Sequence, residues 1–177
     1  MRSCFVPSLA LVVVTIALAP PLRAQSGPRV QLYSGVGLNM IALKDGSRFT
    51  PELTLQFGVV RQVAGSRVGA RLDATYSQVD RRYAGFAGSS TALGASASLM
   101  YDLGTHAWRP YVLGGVGMYE LSGADGGRRS TGALIGGLGL RRAIGRVPVF
   151  WELRYHYFTN GQDFSPHRLF LTLGIRF

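Results

Sequence analysis

The chain has 177 residues, with 19 Lys and Arg against nine Asp and Glu and a formal net charge of +10. Its one cysteine, Cys4, excludes a framework of intramolecular disulfides and with it the small cysteine-rich secreted scaffolds. Nearly half of the residues are hydrophobic and 24 are glycine, which is too apolar for a disordered polyelectrolyte.

Residues 1–24 have the layout of an export signal: Arg2, an apolar core from Leu9 to Leu18 broken by Thr15, then Pro20-Pro21 and a small residue, Ala24, at the expected cleavage point. The apolar run is shorter than the roughly 20 residues a spanning helix needs. Its removal leaves 153 residues (177 less 24), expected to form one domain over 25–177, without cysteine and with a charge of +8, because Arg2, Arg23 and Cys4 leave with it. For an exported chain, that balance points to anionic lipid and lipopolysaccharide as partners and away from nucleic acid.

After Ala24, apolar residues recur at every second position, the period of a β-strand. The first strand is expected over 30–41, with Leu32, Val36, Leu38 and Met40 opposite Tyr33, Gly35, Gly37 and Asn39. The second, over 52–61, sets Leu53, Leu55, Phe57 and Val59 against Glu52, Thr54, Gln56 and Gly58. The third, over 67–79, alternates most clearly: Val68, Ala70, Leu72, Ala74 and Tyr76 face away from Arg67, Arg71, Asp73, Thr75 and Ser77.

The fourth, over 91–103, carries Leu93, Leu99, Tyr101 and Leu103 on one side and Ser96, Ser98, Met100 and Asp102 on the other. The fifth, over 110–121, is apolar on both sides: Tyr111, Leu113 and Tyr119 alternate with Val112, Val116, Met118 and Glu120. Its faces stay open, with Tyr111 and Tyr119 expected outside and Glu120 inside. The sixth, over 131–143, turns Leu134, Leu138 and Leu140 to the apolar side. The seventh, over 147–159, opposes Val149, Trp151, Leu153, Tyr155 and Tyr157 to Phe150, Glu152, Arg154, His156 and Phe158. The eighth ends the chain, with Leu169, Leu171, Leu173, Ile175 and Phe177 alternating with Arg168, Phe170, Thr172, Gly174 and Arg176.

Connections after the even strands are short, whereas those after the odd strands are longer and more polar. Strands of about ten residues, an even count and this loop asymmetry are what a transmembrane barrel requires. The fold expected is an all-β, eight-stranded, antiparallel up-and-down transmembrane β-barrel. Hydrocarbon offers the backbone no hydrogen-bond partner, so the sheet must close on itself. The apolar faces then meet lipid, with Tyr76, Tyr101, Tyr111, Tyr119, Trp151, Tyr155, Tyr157 and Phe177 in the interfacial girdles. The other faces fill the interior with a charge network of Glu52, Arg67, Arg71, Asp73, Asp102, Glu120, Glu152, Arg154, His156, Arg168 and Arg176. A soluble barrel of lipocalin type has the same strand count with the faces exchanged, and period alone does not separate the two.

The signal segment, the eight strands, the stretch Arg109-Pro110-Tyr111-Val112-Leu113-Gly114-Gly115-Val116-Gly117 and the ending Leu169-Phe170-Leu171-Thr172-Leu173-Gly174-Ile175-Arg176-Phe177 resemble small outer-membrane β-barrel proteins of the OmpA/OmpX-like group. The resemblance implies an outer-membrane location. It also implies that Leu169, Leu171, Leu173, Ile175 and Phe177 form the signal read by the barrel-assembly machinery.

Motifs for chemistry are sparse. Gly35-Val36-Gly37, Gly114-Gly115-Val116-Gly117 and Gly136-Gly137-Leu138-Gly139 lie within strands, where no helix follows to cradle a phosphate. His156 shares a face with Glu152 and Arg154 and is expected to be a structural interior histidine; His106, His156 and His167 lack metal-site spacing. Arg81, Arg82, Arg128 and Arg129 fall in outer loops and suit lipopolysaccharide phosphates. No cofactor is implied. The function expected is a monomeric structural or surface-interaction protein without catalysis; a narrow channel and a lipid A-modifying enzyme are the alternatives.

Overall fold

The computed structural model describes residues 30–42, 49–80, 89–104, 107–122, 128–159 and 167–177. Residues 1–24, where an export signal is expected, and most of each odd-numbered loop lie outside these residues. Eight strands follow one another: β1 (Val30–Ala42), β2 (Phe49–Gln62), β3 (Val68–Asp80), β4 (Ser89–Asp102), β5 (Arg109–Ser122), β6 (Arg128–Ile144), β7 (Val147–Phe158) and β8 (His167–Arg176). Each pairs antiparallel with its sequence neighbours, and β1 pairs with β8 to close the barrel. The Phe177 amide donates to the Leu32 carbonyl at 2.8 Å and seals the seam at its end.

The register fixes the shape. From Val30 it passes through Arg61, Ala70, Leu99, Gly114, Gly136, Tyr155 and Leu169, and returns to β1 at Met40, ten residues on (40 less 30). With about 3.3 Å per residue and about 4.8 Å between strands, that stagger tilts the strands by roughly 40°. The even-numbered connections are tight. Gly65 and Gly145 take φ of 71° and 60° there, a left-handed conformation that glycine adopts without a Cβ penalty.

Alternation along each strand sorts side chains by wall. Leu32, Leu53, Leu72, Leu93, Leu99, Val116, Leu134 and Leu138 are exposed on the outside, whereas Asn39, Gln56, Arg71, Glu152, Arg154 and His156 are buried within. Carbon chains outside and charges inside invert a soluble barrel, which overturns the lipocalin alternative; this is the transmembrane arrangement. Tyr76, Tyr155 and Tyr157 ring the outside towards the long loops, and Tyr101, Trp151 and Phe177 ring it towards the short turns.

Four placements differ from expectation. Tyr111 and Tyr119 point inward, 1% and 3% exposed, while Val112, Val116 and Met118 of the same strand meet the outside. Glu120 therefore sits on the outward face near the long-loop rim, 3.4 Å from Arg128. Arg67 lies in the exposed β2–β3 turn, because β3 begins only at Val68.

Candidate functional site

Period two places Arg71 and Asp73 on the inner face of β3, and Glu152 and Arg154 on that of β7. Those strands stand opposite each other in the closed sheet, so the four long side chains meet across the lumen. Arg71 reaches Asp73 Oδ1 through Nε at 2.7 Å and Glu152 Oε2 through Nη1 at 2.5 Å. Arg154 reaches Asp73 Oδ2 through Nη1 at 3.2 Å, and its Nε lies 2.6 Å from Glu152 Oε1 as a charge contact rather than an aligned hydrogen bond. Each arginine thus touches both carboxylates. The result is a closed square of alternating charge with no net charge, which is how ions are held at low cost away from water.

Neutral groups add further hydrogen bonds around the square. Tyr111 donates its hydroxyl hydrogen to Glu152 Oε2 at 2.6 Å, and Ser96 donates to Asp73 Oδ2 at 3.2 Å. Gln56 Nε2 donates to Asp73 Oδ1 and to the Tyr33 hydroxyl oxygen, both at 3.1 Å. Tyr33 also accepts from Arg71 Nε at 2.7 Å, and the Arg71 guanidinium lies 4.2 Å from the centre of its ring.

Interior aromatics reach these positions by lying over glycines of the neighbouring strand. Tyr33 pairs with Gly58, Tyr111 with Gly139, Tyr119 with Gly94 and Phe150 with Gly174. At each of those glycines a Cβ would collide with the paired ring. The ring shields the bare backbone and the glycine gives the ring room, a pairing that also pins register.

Towards the long loops lies a smaller cluster. The Tyr119 hydroxyl and His156 Nδ1 are 3.0 Å apart, and the imidazole packs 4.2 Å from the Phe170 ring. Glu52 accepts from Asn39 at 3.0 Å, and the Arg168 guanidinium lies 5.1 Å from the Phe158 ring centre. Towards the short turns, Asp102 accepts from Gln62 at 2.8 Å and pairs closely with Arg141. Arg176, expected beside an interior carboxylate, instead sits 5.7 Å from the ring centre of Tyr111 and 5.6 Å from that of Phe150.

The sequence therefore points to Glu52, Arg71, Asp73, Asp102, Glu152, Arg154, His156, Arg168 and Arg176, which are all buried inside; it sets Tyr33 and Gln56 on the inner face without joining them to the charges, and misses Tyr111, Tyr119 and Arg141. An aromatic facing a cross-strand glycine is the signal that marks the missed tyrosines. Leu169, Leu171, Leu173, Ile175 and Phe177 share the outer face of β8. Arg81 and Arg82 lie outside the described residues; Arg128 and Arg129 open β6 in exposed positions.

The arrangement is rich in ions and poor in reactive pairs. Among the described residues no three His, Cys, Asp or Glu side chains gather as metal ligands. His156 Nδ1 is held by a phenol, and among the described residues no serine hydroxyl or carboxylate hydrogen-bonds to the imidazole. What the interior does is bridge the lumen from wall to wall.

No protein-family model matches the chain, and no curated protein matches it in sequence. Solved structures do. Neisserial surface protein A has a TM-score of 0.65 at 15% identity, over 83% of this chain and 95% of that one. Ail, the attachment invasion locus protein of Yersinia pestis, has a TM-score of 0.54 at 14% identity, over 85% of this chain and 99% of that one. The outer membrane enzyme PagL has a TM-score of 0.50 at 17% identity, over 82% of this chain and 97% of that one. The chain has the fold of these small eight-stranded outer-membrane barrels. That fold carries an enzyme as well as surface proteins, so function has to be argued from the side chains.

Proposed function

We propose that the chain is an integral outer-membrane barrel protein with a structural or surface-interaction role and no catalytic one. One observation carries this reading: the Arg71, Asp73, Glu152 and Arg154 square occupies the lumen between opposite walls. Eight strands leave an interior just wide enough for side chains, and here those side chains are locked to one another. Residues 1–24 direct export and are cleaved, and the outer face of β8 from Leu169 to Phe177 is read by the assembly machinery. The barrel works as a monomer, with its short turns in the periplasm and its long loops outside.

The exposed end is where partners are met. The Arg128–Glu120 pair is a weak one, 3.4 Å apart with the Arg128 side chain largely and the Glu120 side chain partly in solvent. Arg128 joins Arg81, Arg82 and Arg129 in offering guanidiniums to lipopolysaccharide phosphates. Planar-bilayer recording of the refolded barrel tests the central claim. The lumen should give no steady, defined conductance steps, and a reproducible unitary channel from the purified chain would replace this reading with that of a narrow pore.

A further inference from the structure

Outside the barrel, at the short-turn end, one charged group has no part in the interior network. Arg142 lies on the outward face of β6, two residues beyond Leu140, and Leu140 pairs with Trp151 of β7. Its guanidinium carbon is 4.6 Å from the centre of the Trp108 ring, and the Trp108 and Trp151 rings are 5.7 Å apart at 34°. Stacking on an indole holds a guanidinium by its face and leaves the N–H edges directed outward. Arg142 makes no ion pair with a described carboxylate. At this rim Asp102 is the only acidic side chain among the described residues, and it is turned inward to Arg141 and Gln62. Arg109 follows Trp108 in the chain and Arg146 lies in the β6–β7 turn, and both are exposed.

Depth decides what Arg142 meets. Two residues along a strand tilted at roughly 40° place it about 5 Å nearer the rim than Leu140 and Trp151. Tryptophan marks the boundary between hydrocarbon and headgroups. A guanidinium one step beyond that boundary stands in the phosphate layer.

We propose that Arg142, braced on Trp108, which itself packs against Trp151, binds the phosphate of an anionic glycerophospholipid in the leaflet at the short-turn rim. This rests on the membrane reading above. The phosphate takes the free N–H edge in a forked contact. A zwitterionic lipid brings its own ammonium to the rim that carries Arg109 and Arg146 and is disfavoured; an anionic headgroup is not. One arginine near an anionic surface corresponds to about a fivefold preference.

The two tryptophans are the only ones in the chain, so their emission reports this site alone. The barrel is refolded into phosphatidylcholine vesicles that contain a small fraction of dibrominated phosphatidylglycerol or dibrominated phosphatidylethanolamine, whose bromines quench a neighbouring indole. Folding is checked by heat-modifiable migration in gels. Half-quenching is expected at about fivefold lower mole fraction of the phosphatidylglycerol. Arg142→Gln should bring the two lipids together, while Arg61→Gln, an outward arginine on the opposite wall, should keep them apart. Equal quenching in the unaltered protein, or a preference that survives Arg142→Gln, overturns the phosphate site and leaves the membrane reading standing. Quenching by neither lipid overturns both.

Discussion

Arg71 is enclosed by Asp73, Glu152 and the hydroxyl and ring of Tyr33, so every favourable contact of its charge lies inside the protein. Removing one member of such a square leaves the others charged in a place where water cannot help. Arg71→Met should therefore cost about 3–5 kcal/mol, the range for breaking one partner of a buried ion pair. Arg71→Met with Glu152→Gln should cost less than the two changes summed, because the second removes the carboxylate that the first strands. Urea unfolding in phosphocholine bilayers, followed by tryptophan emission, gives both numbers. A cost below about 1 kcal/mol for Arg71→Met would mean that water, not the square, solvates these ions. The charges of this square were legible in the sequence because each interrupts an apolar alternation on a single face. Tyr111 was not, since a tyrosine suits an interfacial girdle as well as an interior; only its pairing with Gly139 and the carboxylate of Glu152 decides for the inside.

At the scale of one element, β8 and β5 mark the two ends of what alternation can tell. In β8, Arg168, Phe170, Thr172, Gly174 and Arg176 alternate with aliphatic residues, three of the five being polar, and the strand turns the faces its pattern foretells. In β5 both faces are apolar, glycines blur the period, and the one acidic residue, Glu120, lies beyond the apolar band, where a carboxylate can point outward to solvent and to Arg128. Arg67 misleads for a related reason, being in phase with Arg71 yet one residue before its strand begins. The outer face of β8 also carries a depth gradient. Leu171 pairs with Leu38 and Leu153, in the middle of the aliphatic band, whereas Leu173 pairs with Val36 and with Trp151 of the girdle. Leu171→Arg should cost about 2–4 kcal/mol and Leu173→Arg less, following the fall in cost from midplane to interface. The same urea titration in lipid orders the pair. The reverse order, or no cost for either, would contradict the assignment of this face to hydrocarbon.

For the whole molecule, the loop asymmetry and the parity of the strands together set an orientation. Eight antiparallel strands bring the start of β1 and the end of β8 to the same rim, the one that also carries the turns after β2, β4 and β6. A chain that inserts from the periplasm leaves its short turns on that side and sends the longer, polar connections through. An epitope placed among residues 81–88, between β3 and β4, should thus be labelled by antibody on intact cells. One placed at Gly104, between β4 and β5, should be labelled only after the outer membrane is permeabilised. Both insertions fall outside the paired segments, in connections between strands, where added residues are best tolerated. Heat-modifiable migration of each tagged protein separates a misfolded chain from an inaccessible tag. Labelling of both sites on intact cells would mean that the barrel does not divide two compartments. Labelling of the Gly104 site alone would mean the opposite insertion, which would put Arg142 and its two tryptophans in the outer leaflet.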